Sequence, residues 1–326
     1  MSLMIDVDGL ELTAEDREVL SHPMVTGFIL FARNVESVEQ VAALIRSIRQ
    51  LRPELLIAVD YEGGRVQRIR TGVTRIPAMR SLGQAERAEQ LAEDAGLVVG
   101  AELAALDFDL PFAPVVDLDH GCSGVIGDRA FHCDPERVIA LAGAYIRGLA
   151  RSGLAATVKH FPGHGAVIPD SHVELPVDER PVADIESGDL RPFAALVRQG
   201  VPSVMTAHVV FTEVDDRPAS FSPVWVRDWL RGRLGFTGCV VSDDLTMGGA
   251  AAMGGARRRV ELAAAAGCDL LPLCNHRPSV IEALDAGGLD MPPGFESRLA
   301  ALSRRRVEPD PTAVQAARER LMGVAD

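Results

Sequence analysis

The sequence predicts an α/β protein: a single (β/α)8 TIM-type barrel over residues 1–326, with a short helical C-terminal tail. Two observations carry that expectation. Eight short, β-rich apolar runs alternate with longer segments of helical period, and several of the runs are apolar at every position rather than every second one. A strand that is apolar on both faces belongs to a parallel sheet covered by helices. The count of eight favours closure into a barrel over an open doubly wound sheet. No GxGxxG follows the first run, which argues further against a dinucleotide-binding open sheet.

In chain order the candidate strands are 3–7, 27–31, 55–60, 108–116, 155–160, 202–207, 238–243 and 269–274. The helical segments between them have readable faces. Val38, Val41, Ile45 and Ile48 recur on one side of a helix, as do Val138, Leu141, Ala142, Tyr145 and Leu149. Ser37 and Gln40 have the spacing of a capping box. Asp134-Pro135 and Ser222-Pro223 each set a capping side chain before a proline at the first helical position. No repeat, low-complexity tract or Pro/Gly linker divides the chain, so one domain is expected. Residues 287–326 read as a helical tail interrupted at Pro292-Pro293.

Composition narrows the function. Hydrophobic residues make up 47% and charged residues 24%, ample material for a large core. The net charge of -13, with no dense Lys/Arg stripe, lacks the basic footprint that nucleic-acid binding needs. The cysteines Cys122, Cys133, Cys239, Cys268 and Cys274 form no CxxC pair, and their odd number fits a reducing compartment. The first residues lack the basic and apolar regions of a signal peptide, and no apolar run is long enough to span a bilayer. A cytoplasmic protein is therefore expected, with no membrane contact and no obligate protein partner.

In a (β/α)8 barrel the active site forms at the C-terminal ends of the strands. His120, His132, His160, His164, His172, His208 and His276 all fall at expected strand ends or in the loops after them; only His22 lies elsewhere. Asp60, Asp117 and Asp243 end strands in the same way. Such groups are costly to bury without partners, so they are usually paired or functional. The richest segment is Lys159-His160-Phe161-Pro162-Gly163-His164-Gly165, followed by Asp170-Ser171-His172. Asp170 is close enough to His172 in sequence to orient its imidazole and stabilise the protonated form, which suits acid–base work. The alternative is a structural loop whose histidines satisfy backbone groups. In Ser242-Asp243-Asp244, one acid stands at a strand end, while Asp244 serves equally well as a cap for the next helix. Arg68 reaches the face of Asp60 if the Gly63-Gly64 turn folds back; otherwise Arg65 and Arg68 are solvated surface charges.

Together the motifs resemble glycoside hydrolase family 3: VDYEGGRVQR, FAPVVD, KHFPGHG, DSH and SDDLTMGGA occur in that family's order. KHFPGHG followed by DSH is similar to the NagZ-type branch, which cleaves terminal β-linked N-acetylglucosamine. The resemblance runs from about the first strand to the eighth. It implies a retaining exo-glycosidase that forms a covalent glycosyl-enzyme and uses no metal or other cofactor. Its substrate would be a small carbohydrate, such as cell-wall muropeptides carrying a GlcNAc–anhydroMurNAc unit in peptidoglycan recycling. On this resemblance Asp243 is the nucleophile, His172 the acid/base and Asp170 its dyad partner. Asp60, Arg68, Arg129, Lys159 and His160 are carried over as substrate-binding positions. Tyr61 departs mildly from the family's usual residue after the aspartate.

Imidazole has an ordinary pKa near 6.5 and can donate, then accept, a proton around neutrality. Lys159 and Arg129 are expected to keep Asp243 ionised. Three other readings compete. A metal-dependent hydrolase would ligate Zn²⁺ through His160, His164, His172, His208 and Asp243, although no HxH marks the first strand. A non-catalytic sugar-binding protein should have lost Asp243 or His172. A Schiff-base aldolase would act through Lys159.

Overall fold

The computed structural model describes residues 2–288, 290–305 and 307–324. One strand forms in each of the eight apolar runs: β1 (Leu3–Ile5), β2 (Val25–Leu30), β3 (Leu56–Val59), β4 (Leu110–Pro111), β5 (Thr157–Phe161), β6 (Ser203–Thr206), β7 (Cys239–Val241) and β8 (Leu271–Pro272). All their pairings are parallel. They form a five-stranded sheet ordered β8-β1-β2-β3-β4 and a three-stranded sheet ordered β7-β6-β5. Single parallel bridges join the edges of the two sheets, Val115 to Lys159 at one seam and Val241 to Leu270 at the other. β4 is much shorter than the expected 108–116. Pro111 and Pro114 bring no N–H to the ladder, so beyond Pro111 pairing is reduced to single bonds, from Phe112 N–H to the Val59 carbonyl, from Thr157 N–H to the Ala113 carbonyl and from Val116 N–H to the Lys159 carbonyl, each 2.9 Å.

The strands are buried on both faces, as their continuous hydrophobicity requires. Met4, Ile29, Leu56, Ala58, Leu110, Phe112, Met205, Cys239 and Val241 pack into one cluster, joined by Leu299 and Leu302 of the tail. Their neighbours Leu3, Ile5, Phe28, Leu30, Ile57, Val59 and Val240 point the other way, into a larger cluster under the helices. The period-two alternation of side chains thus sorts each strand between two cores. Val41, Leu44, Ile45 and Ile48 are the buried face of helix Val38–Leu51, and Val138, Leu141, Ala142, Tyr145 and Leu149 are buried on helix Pro135–Ala150.

The caps form with one adjustment. Ser37 Oγ accepts the Gln40 N–H at 3.1 Å, but Gln40 Oε1 accepts from Glu36, one residue earlier than a capping box requires. Asp134 accepts the N–H groups of Glu136 and Arg137. Ser222 accepts from Trp225 at 3.1 Å.

The N-terminal ends of the strands are tied by two buried aspartates. Asp109 accepts the N–H groups of Ile57 and Arg304 and the Arg49 guanidinium. Asp269 accepts the Val240 N–H at 2.8 Å and pairs with both Arg231 and Arg298, each at 2.6 Å. Arg298 lies on helix Phe295–Ala300, so this carboxylate also fastens the tail. The last helix, Pro311–Met322, is held to helix Ala88–Ala105 by pairs of Arg320 with Asp94 and Arg318 with Glu102. Helices thus stand on either side of Pro292-Pro293, while positions 289, 306, 325 and 326 of the expected tail lie outside the described residues. Among the described residues no helix is long and apolar enough to cross a membrane.

Removing one member of a buried ion cluster leaves the others uncompensated, typically at a cost of about 3–5 kcal/mol. Asp269→Ala strands two guanidinium groups and a strand N–H. It is expected to destabilise the fold by about that amount in denaturant unfolding.

Candidate active site

A cavity of about 770 Å³ opens where the C-terminal ends of the strands meet their following loops. All eight residues to which the family resemblance assigns a role line it: Asp60, Arg68, Arg129, Lys159, His160, Asp170, His172 and Asp243; of the other strand-end candidates His164 lines it, and His120, His132, His208, His276 and Asp117 do not. One wall is a buried charge cluster. Asp60, just past β3, takes Arg68 and Lys159 at 3.0 Å each. The glycine turn does fold back: the short antiparallel pair Tyr61–Gly63 and Val66–Gln67 returns Arg68 to Asp60. Arg65 instead meets Asp128 in a half-exposed pair at the edge of the same cavity. Lys159 also contacts Glu62 at 2.6 Å, and Glu62 binds Arg129 through both oxygens at 2.7 and 2.8 Å.

Burial alone would raise the carboxyls of Asp60 and Glu62. The charges of Lys159 and Arg68 on Asp60, and of Arg129 and Lys159 on Glu62, outweigh it. Asp60 is held well below the usual carboxylate range and Glu62 down at about 2. Lys159 is shifted upward by the same two carboxylates despite its burial. An amine held in its protonated form is the wrong state for Schiff-base attack, which counts against the aldolase reading. Glu62 was not singled out in the sequence. Its partners stand 67 and 97 positions away, beyond any local spacing, although its place beside Asp60 in the EGGR motif was a usable signal.

A second arrangement organises the histidines. Asp117, fully buried, accepts the backbone N–H groups of His160 and His164 and meets His160 Nδ1 at 2.7 Å. His164 Nε2 lies 2.8 Å from Ser171 Oγ. Burial, then the neighbouring His160, pushes the His164 imidazole down to about 4. His208 stacks on Phe221, and its Nε2 lies 3.0 Å from the Asp244 carbonyl oxygen. Its imidazole is lowered chiefly by burial. Each ring therefore has one nitrogen committed to a different partner. Among the described residues no three His, Cys, Asp or Glu side chains are grouped to hold a metal ion.

Asp243, partly buried at the end of β7, faces these rings. Desolvation pushes its carboxyl up, but His208, His160, His172 and the Asp244 N–H at 2.9 Å together bring it below its ordinary value. Lys159 and Arg129, expected from the sequence to do this, are engaged by Asp60 and Glu62 instead, and His208, His160 and His172 are the neighbours that lower Asp243. Asp244 is no helix cap either. Its carboxylate accepts from Thr246, from the Cys274 N–H at 3.1 Å and from Asn275 at 3.0 Å, tying the end of β7 to that of β8. Desolvation pushes its carboxyl up to about 6.

Across the cavity, on the long loop after β5, His172 Nδ1 sits 2.7 Å from Asp170 Oδ1, which also accepts the His172 backbone N–H. Both side chains are about half exposed. The structure therefore sets a partly buried carboxylate on a strand end and an exposed His–Asp pair on a loop over one cavity.

Residues 3–297 match the glycosyl hydrolase family 3 N-terminal domain. A β-hexosaminidase of Pseudomonas aeruginosa is 50% identical over 308 residues, covering 94% of this chain and 88% of that one. The β-hexosaminidase of Tolumonas auensis is 53% identical over 294 residues, covering 89% and 87%. Among solved structures, NagZ of Neisseria gonorrhoeae in complex with N-trifluoroacetyl-D-glucosamine superposes with a TM-score of 0.92 at 41% identity, covering 100% of this chain and 98% of that one. A family 3 β-N-acetylglucosaminidase of Paenibacillus gives 0.84 at 34%, covering 98% of this chain and 60% of that one. With a family match along nine-tenths of its length and relatives half identical over most of both chains, this chain belongs to glycosyl hydrolase family 3 and is a glycoside hydrolase of the β-hexosaminidase type.

Proposed function

We propose that the protein is a retaining exo-glycosidase that releases terminal β-linked N-acetylglucosamine, with Asp243 as nucleophile and the His172–Asp170 pair as acid/base. The observation that carries this reading is the 2.7 Å His172–Asp170 contact over the cavity that also holds the ionised Asp243. Retention requires a nucleophile to trap the oxocarbenium-like centre and a second group to protonate the leaving oxygen. In the first step a carboxylate oxygen of Asp243 bonds to the anomeric carbon. The bond to the leaving oxygen breaks as His172 gives that oxygen its proton. In the second step neutral His172 takes a proton from water, the water oxygen attacks the same carbon, and the ester to Asp243 breaks. With Nδ1 on Asp170, Nε2 is the nitrogen left for the scissile oxygen.

Asp60, Arg68, Arg129, Lys159 and His160 serve the sugar, and Arg129 also fixes Glu62 in place. The same reading treats residues 1–326 as one domain and the two sheets, with their two bridged seams, as a closed (β/α)8 barrel. The bridges at both seams and the sorting of strand side chains between two separate clusters support closure. We further propose that the substrates are cell-wall muropeptides carrying a GlcNAc–anhydroMurNAc unit, recycled in the cytoplasm. Unpaired cysteines, three of them buried, are consistent with a reducing compartment.

Three outcomes test the assignment. A chromogenic β-N-acetylglucosaminide should be hydrolysed and the matching β-glucoside much less, with EDTA making no difference to either. Loss of turnover on chelation would revive the metal reading. Asp243→Asn should abolish turnover of both sugars while the fold, followed by circular dichroism, is retained. His172→Ala should lower kcat/KM for an alkyl β-N-acetylglucosaminide by about 10²–10⁴-fold, the usual worth of general acid catalysis. It should spare the 2,4-dinitrophenyl glycoside, whose leaving group needs no proton; an equal loss on both would remove His172 from the acid role.

A further inference from the structure

We propose that Ser171, His164 and the Gly248-Gly249 pair form a clasp that seats the acid–base histidine over the cavity, a role that rests on the assignment of His172 above. None of these residues need touch the substrate; they are positioning residues. The case begins with what is buried. Between Ile168 and Leu175 only Ser171, a polar residue, is buried, whereas Ile168 and Val173 are 72% and 78% exposed. Burial of apolar surface therefore does not dock this stretch of loop. A hydroxyl is taken out of water instead, which is unfavourable unless a partner is provided.

His164 provides it, its Nε2 lying 2.8 Å from Ser171 Oγ with both side chains almost wholly buried. His164 is fixed from below, since its backbone N–H donates to Asp117 at 2.8 Å. The contact thus runs from the strand ends to the residue immediately before His172.

The other half of the clasp is backbone. The Gly249 N–H donates to the Ser171 carbonyl at 2.9 Å, and the Gly248 N–H donates to the His172 carbonyl at 3.0 Å. These glycines follow Asp243 by five and six residues, so the loop bearing the proposed acid is bound to the segment bearing the proposed nucleophile. Only glycine allows so close an approach. A Cβ on Gly248 would overlap the Val173 carbonyl group, and one on Gly249 would stand 3.0 Å from the Ser171 carbonyl oxygen and 3.1 Å from His208 Cβ. Ser171 and His172 are thereby held through a side chain and two carbonyls, while the imidazole keeps Nδ1 on Asp170 and leaves Nε2 for the scissile oxygen.

The test compares kcat/KM, which reports events through formation of the glycosyl-enzyme, for an alkyl and a 2,4-dinitrophenyl β-N-acetylglucosaminide. It uses full-length wild type, Ser171→Ala, Gly248→Ala and His172→Ala. Ser171→Ala removes the hydroxyl, while Gly248→Ala pushes the loop away without deleting any hydrogen-bonding side chain. If the clasp positions His172, both variants lose roughly 10- to 100-fold on the alkyl glycoside, the cost of misplacing a catalytic group by about 1 Å, and little on the dinitrophenyl glycoside. Equal losses on the two substrates, or none on either, would mean a structural role and overturn the proposal while His172→Ala remains selective. If His172→Ala is itself unselective, the acid assignment fails and takes the clasp with it.

Discussion

A lysine ammonium shared between two carboxylates sets the geometry on which the rest of the site depends. Lys159 on β5 reaches Asp60 and Glu62 just past β3, and Glu62 passes the connection on to Arg129 in the loop after β4. Removing such charges from water costs several kcal/mol per ion, and replacing a buried ion network with apolar side chains is often neutral for stability. A cluster of three cations and two anions, with Arg68 included, therefore makes little sense as a stabilising device. What it provides is fixed direction: polar groups held at set positions facing the cavity, with no freedom to collapse on one another.

From that anchor the arrangement proceeds along the chain. The residue after Lys159 is His160, whose ring and backbone both meet Asp117, and Asp117 also receives the His164 backbone. The rings of His208, His160 and His172 are the neighbours that lower the Asp243 carboxyl. Two neighbouring aspartates then part company. Asp243, surrounded by rings and one N–H, stays below its ordinary pKa, while Asp244, desolvated against β8, rises to about 6. Adjacent residues of one type thus acquire different chemistry from their surroundings alone.

Much of this could be read in advance. The eight strands were visible because both of their faces are buried, which writes itself into the sequence as unbroken apolar runs. The strand-end polar residues stood out against that background, and Asp60, His160, His164, His172 and Asp243 among them line the cavity, while His120, His132, His208, His276 and Asp117 do not. Pairings between segments distant in the chain could not be read. Glu62 was passed over because neither Lys159 nor Arg129 lies within any local spacing of it, and for the same reason the counter-charges of Asp243 were assigned to the wrong cations. The shortening of β4 was available from Pro111 and Pro114 but is masked by the apolar run around them. Asp244 looked like a helix cap because capping is a local event, whereas its real partners, Cys274 and Asn275, arrive from the next strand.

The two proposed catalytic groups stand on supports of very different character. Asp243 ends a strand packed in the core, whereas the Asp170–His172 pair rides on a loop whose side chains are mostly solvated. Substitutions around the former are paid for in folding stability, while those along the loop are nearly free of that constraint. Variation within such a lineage would accordingly accumulate in the loop. There it can change which aglycones are accepted and how fast they leave, while the strand end keeps the sugar and the stereochemical course constant.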